Sequence, residues 1–150
     1  RIGANGLDKD LADYAAIGNL TLPVAPDFDL LCQESIYQLM LGCREPEYPA
    51  ILEGVVGAKI AAWWDRAVDV IPASGGKGAG IRAVLHHFHL SPENAMAFGD
   101  GNNDIEMLKA VGTGVAMGNA SEQLKTIAAA TCAPAAQDGI YEFCLQHGLI

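Results

Sequence analysis

The run Gly99-Asp100-Gly101-Asn102-Asn103-Asp104 places two carboxylates and two carboxamides within five positions. Hard oxygen donors at that density suit a divalent cation, and the glycines permit tight backbone turns. Asp100 follows the apolar segment Ala95-Met96-Ala97-Phe98, so its carboxylate is expected to project from a strand end and bind the metal. Asp104 lies four residues on, at the start of a helix, where it can support the same metal site. The plainer reading is that Asp and Asn are common turn formers and helix caps. A second feature is Lys77 in Gly75-Gly76-Lys77-Gly78, a glycine-rich turn that opens a helix. A lysine there opposes the helix dipole unless an anion is near. Its ammonium and the free N–H groups of the turn would together cradle a phosphate. The plainer reading of Lys77 is an exposed surface cation.

Three known patterns can be tested against these loops. A phosphate-binding P-loop needs G-x-x-x-x-G-K-[ST], but Ile71 and Gly78 occupy its first and last positions. An EF-hand would begin with Asp100, Asn102 and Asp104, yet Ile105 replaces its glycine and Val111 its closing Glu. The dinucleotide fingerprint fits better. Gly78, Gly80 and Ala83 satisfy G-x-G-x-x-A after a strand, and Asp100 lies 22 residues beyond Gly78. An NAD(P)-binding Rossmann-type domain is therefore the alternative from another reaction class. It leaves Lys77 and the Asp/Asn cluster without a role.

The elements that must position these loops follow from periodicity. Leu7, Leu11, Tyr14 and Ala15 fall at helical spacing, ending by Gly18; residues 36–41 and 58–64 read as strands and 45–56 as helical. Beyond residue 68 the pattern becomes regular. A strand at 68–71 stops at Pro72, and a helix follows with Ile81, Val84, Leu85 and Phe88 on one face. Strands at 95–98, 114–117 and near Thr131 alternate with helices at 105–110, 121–129 and from Gly139 to about His147. Such alternation predicts an α/β fold whose parallel sheet carries helices on both faces. Ligands of such sheets bind beyond the carboxyl ends of the strands, where both loops are expected.

Composition narrows the function. The chain has 150 residues, is 51% hydrophobic and 18% charged, and carries a net charge of −9. That excludes a disordered tail or a charged coiled coil. Without a basic run, nucleic acid and anionic membrane surfaces are not expected partners. A small anionic substrate fits if a cation supplies positive charge. Cys32, Cys43, Cys132 and Cys144 form no C-x-x-C pair, so reduced and mostly buried thiols and a cytoplasmic location are expected. The chain opens on Arg1 without Met, and its natural start is expected upstream.

Taken in order, residues 68–72, Gly76-Lys77-Gly78, Ala97-Phe98-Gly99-Asp100-Gly101-x-Asn103-Asp104-Ile105-x-Met107-Leu108 and Gly114-Val115-Ala116-Met117-Gly118-Asn119-Ala120 resemble the haloacid dehalogenase (HAD) superfamily. Asp138-Gly139 before the last helix suits it too, and the Cof-type sugar phosphatases are the branch most resembled. The resemblance covers residues 58–150 closely and the earlier part loosely. It implies a HAD-like Rossmannoid parallel sheet forming part of a core (66–150) and the remnant of an α/β cap (1–65). It further implies a Mg²⁺-dependent phosphatase acting on a small phosphorylated metabolite through an aspartyl-phosphate. Asp100 would bind Mg²⁺, Asp104 would support that site, Lys77 would stabilise the nucleophile and the transferring phosphoryl group, and Asn103 would touch phosphate or substrate.

One departure matters. The family's opening D-x-D-G-[TV] motif and its phosphate-binding Ser or Thr have no counterpart here. Asp27-Phe28-Asp29 has the spacing, but Leu30 replaces the glycine and Pro23 and Pro26 spoil a preceding strand. A cap loop is the expected place for it, and the nucleophile is expected outside this chain. A non-catalytic binding module of the same fold is a further alternative. His86, His87 and His89 are expected on a solvated helix face, Trp63 and Trp64 in core or interface packing, and Tyr37, Met40, Met96 and Met117 in the core.

Overall fold

The computed structural model describes residues 3–62 and 64–150. Two compact units compose it, Arg1–Ala73 and Ser74–Ile150.

The first unit contains α1 (Lys9–Ile17), α2 (Phe28–Leu31), β1 (Leu39–Gly42), α3 (Tyr48–Leu52), β2 (Ala58–Ala62) and β3 (Ala67–Pro72). Asp8 caps α1 by accepting the Leu11 N–H at 2.7 Å, and Gly18 ends that helix. The sheet runs β1-β3-β2, with β3 antiparallel to both neighbours. Period-two alternation sends Val68 and Val70 to one face, where they pack with Cys43, Leu41, Ile51 and Ile60. Asp69 takes the other face, and the Tyr14 hydroxyl donates to its Oδ1 at 3.5 Å. Arg66 donates to Asp10 at 3.1 Å and Asp13 at 3.2 Å, and its guanidinium lies 4.0 Å over the Trp64 ring. Trp64 is thus half-buried; Trp63 lies outside the described residues.

Three expectations change here. Residues 68–71 do not open the parallel run: β3 is central to an antiparallel sheet. The reason is legible in Val68-Asp69-Val70, since a strand buried on both faces would not set a carboxylate between two valines. The division between units consequently falls at Ala73/Ser74. Tyr37 is not core but 80% exposed, because strand pairing begins only at Leu39. The helix expected over 45–56 is a 3₁₀ turn, Glu45–Glu47, followed by α3 alone.

The second unit contains α4 (Lys77–His87), β4 (Met96–Gly99), α5 (Ile105–Leu108), β5 (Thr113–Ala116), α6 (Glu122–Ile127), β6 (Ala130–Thr131) and α7 (Gly139–Gln146). Its sheet runs β4-β5-β6 and is parallel, with Met96 opposite Thr113 and Val115 opposite Ala130. Leu108, Val115, Ala116, Met117, Leu124 and Phe143 form the buried core, with Met96 packed against it. Met40, on β1 of the first unit, is half-buried. On α4, Leu85 is buried as expected, whereas Val84 and Phe88 are exposed. His86, His87 and His89 are exposed. Cys43 and Cys132 are buried, Cys144 is half-buried and Cys32 exposed, all as free thiols. Among the described residues, no helix is long and apolar enough to cross a membrane.

Candidate active site

The site is assembled by three loops at the carboxyl edge of the parallel sheet and by the start of α4. Gly76, at φ 108°, turns the chain into α4 in a conformation that side chains rarely adopt. Lys77 is the first helical residue. The anion that offsets its unfavourable place on the helix dipole is Asp104, to which its ammonium donates.

Asp104 organises the whole turn. It closes the 3₁₀ segment Asn102–Asp104 and precedes α5. While Oδ1 accepts from Lys77, Oδ2 accepts the N–H groups of Asp100 at 3.0 Å and Gly101 at 3.2 Å. Burial pushes this carboxyl up, but the lysine and the two amides outweigh it and hold it below the usual carboxylate range. Asp104 is only 4% exposed, the sole buried charged residue among those described. Buried charge survives when it is paired and hydrogen-bonded, and here both oxygens are engaged.

Asp100 stands exposed at the end of β4, one residue past Gly99. Asn119 Nδ2 donates to its Oδ2 at 3.2 Å, and its backbone carbonyl accepts the Ser121 N–H at 3.2 Å. Asn103 sits half-buried in the same turn. The structure therefore brings Lys77, Asp100, Asn103 and Asp104 into one cluster. Sequence reasoning gave Asn119 and Ser121 no role, although the rule that ligands gather at carboxyl strand ends would have pointed to the loop after β5.

The donor set can be tested against Mg²⁺. That ion keeps several waters and takes one or two carboxylates plus substrate phosphates. A single exposed carboxylate at a strand end, backed by an oriented shell, fits such a site in part. No group of three or more His, Cys, Asp or Glu that could hold a metal exists among the described residues. Asp104, with both oxygens occupied, stands behind Asp100.

The fingerprint alternative finds no support in this geometry. Gly78 and Gly80 lie inside α4, not in a turn open to pyrophosphate, and Ala83 lies further along the same helix. A Cβ on Gly78 would meet the Glu106 carbonyl oxygen at 2.5 Å, so this glycine serves helix packing. Moreover, β3 and β4 belong to different sheets, so no βαβ unit surrounds these residues. Asp27 immediately precedes the short helix α2, makes no side-chain capping bond to it, and is not at a strand end.

The sequence profile of haloacid dehalogenase-like hydrolases matches residues 27–144. The chain belongs to this family. Among HAD relatives, the putative phosphatase YkrA of Bacillus subtilis (strain 168) is 37% identical over 138 residues, covering 89% of this chain and 52% of its own length. An uncharacterised protein encoded in the pdhA 5′ region of Geobacillus stearothermophilus is 45% identical over 91 residues, covering 61% of this chain and 90% of its own. A solved HAD subclass IIB sugar phosphatase superposes with a TM-score of 0.86 at 28% identity, over 96% of this chain and 56% of that one. The chain thus spans about half the length of YkrA and of this HAD phosphatase.

Proposed function

We propose that the whole protein is a Mg²⁺-dependent phosphoric monoester hydrolase of the cytoplasm, acting on a small phosphorylated metabolite such as a sugar phosphate. The observation that carries this reading is the buried Asp104 carboxylate holding the Lys77 ammonium beside the strand-end Asp100. Phosphoryl transfer is largely positioning and charge neutralisation, and this arrangement supplies both. Similarity to proteins named as phosphatases supports the same class.

Asp100 is the residue that would hold Mg²⁺, which supplies positive charge to the phosphoryl oxygens when bound. Lys77 spends one ammonium proton on Asp104 and keeps others for a phosphoryl oxygen. Asn103 offers an amide from the same turn to phosphate or substrate. The nucleophile is an aspartate outside residues 1–150. Its oxygen forms a bond to phosphorus as the bond from phosphorus to the ester oxygen breaks, and that oxygen takes a proton from solvent to leave as an alcohol. Water then cleaves the aspartyl-phosphate, regenerating the carboxylate and releasing inorganic phosphate.

The test is phosphate release by the full-length protein from a panel of phosphorylated sugars, with Mg²⁺ or with a chelator. Release should require Mg²⁺, and Lys77→Ala should lower kcat by about 10²- to 10³-fold. The 150 residues alone should bind Mg²⁺ weakly and turn over no ester. Mg²⁺-dependent release by this segment that disappears in Asp27→Asn would overturn the assignment of the nucleophile. Full activity of Asp100→Asn in the whole protein would overturn the assignment of the metal site.

A further inference from the structure

We infer that Asn119 is a positioning residue for the Asp100 carboxylate. It fixes the direction in which that group meets the divalent cation. The inference rests on the reading of Asp100 as a Mg²⁺ ligand and extends it to a residue on a different loop.

The geometry begins with the two loops that follow β5 and β6. A Cβ on Gly118 would lie 2.7 Å from Pro134 Cδ, so the loops approach as closely as they do only with glycine there. The approach carries Asn119 to Ala135, whose N–H donates to Asn119 Oδ1 at 3.2 Å. At its other end, Asn119 Nδ2 donates to Asp100 Oδ2 at 3.2 Å. One carboxamide thus spans from the end of β6 to the end of β4.

The polarity of this bridge admits a single orientation. Were the amide flipped, its NH₂ would face the Ala135 N–H and its oxygen would face a carboxylate oxygen. Both ends therefore select the same rotamer, and they do so with a neutral group. A lysine at 119 would compete with the cation for Asp100, and an aspartate would repel it. Among the described residues, Asp100 Oδ1 accepts no hydrogen bond, so the arrangement directs Oδ2 to Asn119 and leaves Oδ1 open. Two further bonds hold the frame: Ser121 N–H to the Asp100 carbonyl at 3.2 Å, and Ser121 Oγ to Asn102 Oδ1 at 2.6 Å. An exposed carboxylate would otherwise lose rotamer freedom only on meeting the metal, weakening binding. Partners that orient a ligating carboxylate contribute about 10- to 100-fold to metal affinity.

The experiment is Mn²⁺ binding to the full-length protein, read from loss of the free-ion EPR signal, with Mg²⁺ as competitor. Wild type, Asp100→Asn, Asn119→Ala and Ala135→Pro are compared. Ala135→Pro removes only the N–H that pins Asn119. Pro134 is already extended at ψ 157° and Ala135 opens a 3₁₀ turn, so proline is tolerated there. Asn119→Ala should weaken Mn²⁺ and Mg²⁺ binding by about 10- to 100-fold, and Ala135→Pro should weaken it by less in the same direction. A merely structural Asn119 would shift the urea midpoint and leave affinity alone. Should Asn119→Ala fail to fold, Ala135→Pro decides the matter. Loss of binding in Asp100→Asn, with both other variants within twofold of wild type, overturns the role of Asn119 alone. Absence of binding in wild type overturns the metal-site reading and this inference with it.

Discussion

Asp104 shows how one side chain can set both the shape and the charge of a loop. Its two oxygens hold a lysine from α4 and two amides from the turn after β4. Replacing it with asparagine leaves one acceptor where two are used, so either Lys77 or the amides lose their partner. Lys77 is half-exposed and recovers water, which keeps the cost below that of a fully buried pair. Asp104→Asn should lower stability by about 2–3 kcal/mol, measured from the urea midpoint. Residue types and spacing single out Asp100, Asp104 and Lys77 as candidates from the sequence alone. The specific pairing of Lys77 with Asp104 was not legible, because it crosses 27 positions and depends on how α4 lies against α5. Asn119 was visible only as part of a motif, for its partners come from two other loops.

At the scale of elements, close approach decides which glycines matter. A Cβ on Gly139 would stand 1.8 Å from the Ala133 carbonyl oxygen, at the corner where the chain turns from β6 into α7. Gly80 lies within α4, and a Cβ there meets nothing within 4 Å. Gly139→Ala should therefore destabilise by about 3 kcal/mol or more. Gly80→Ala should stabilise by about 0.5–1 kcal/mol through helix propensity. Thermal unfolding of the two variants checks both signs. Hydrophobic periodicity located nearly every strand and helix of the second unit, since short apolar runs there alternate with segments of helical spacing. It misjudged the partners of β3, because periodicity reports which face is buried and not which strand lies alongside. Val68-Asp69-Val70 held the correction, as alternation is the mark of a sheet with unlike faces.

Across the whole molecule, the most enclosed carboxyl of each unit is perturbed, and the two shifts have opposite sign. In the first, burial pushes Asp69 up, against hydrogen bonds from Gln38 and Tyr14. Its ionised form is the less stable one, so the penalty fades as pH falls through the raised value and is gone below about 3.8. In the second, Asp104 is held low, and its contribution is complete above about 3.8 and lost as pH falls through the lowered value. Through Asp69, acid should therefore strengthen the first unit, less what is lost at Asp13, which Lys9 and Arg66 hold low, before it weakens the second. Residue-resolved NMR during acid titration, following Val68 and Val70 against Val115 and Leu124, should show the second group losing native resonances first. Asp69→Asn should raise the neutral-pH stability of the first unit and flatten its pH dependence. Net charge and composition gave no hint of this contrast, which arises from a half-buried Asp69 with few partners and a buried Asp104 with both oxygens engaged.

The hydrogen bonds from the Asp100 and Gly101 amides to Asp104 also bear on exchange with solvent. Amides in a surface turn ordinarily trade hydrogen for deuterium within seconds, while strand amides wait for the sheet to open. Here two turn amides donate to a buried anion. In deuterium oxide, monitored by NMR, they should persist as long as those of β4 and β5, and become fast in Asp104→Asn. The turn then opens only when the sheet does, so its protection lifetime measures the whole unit.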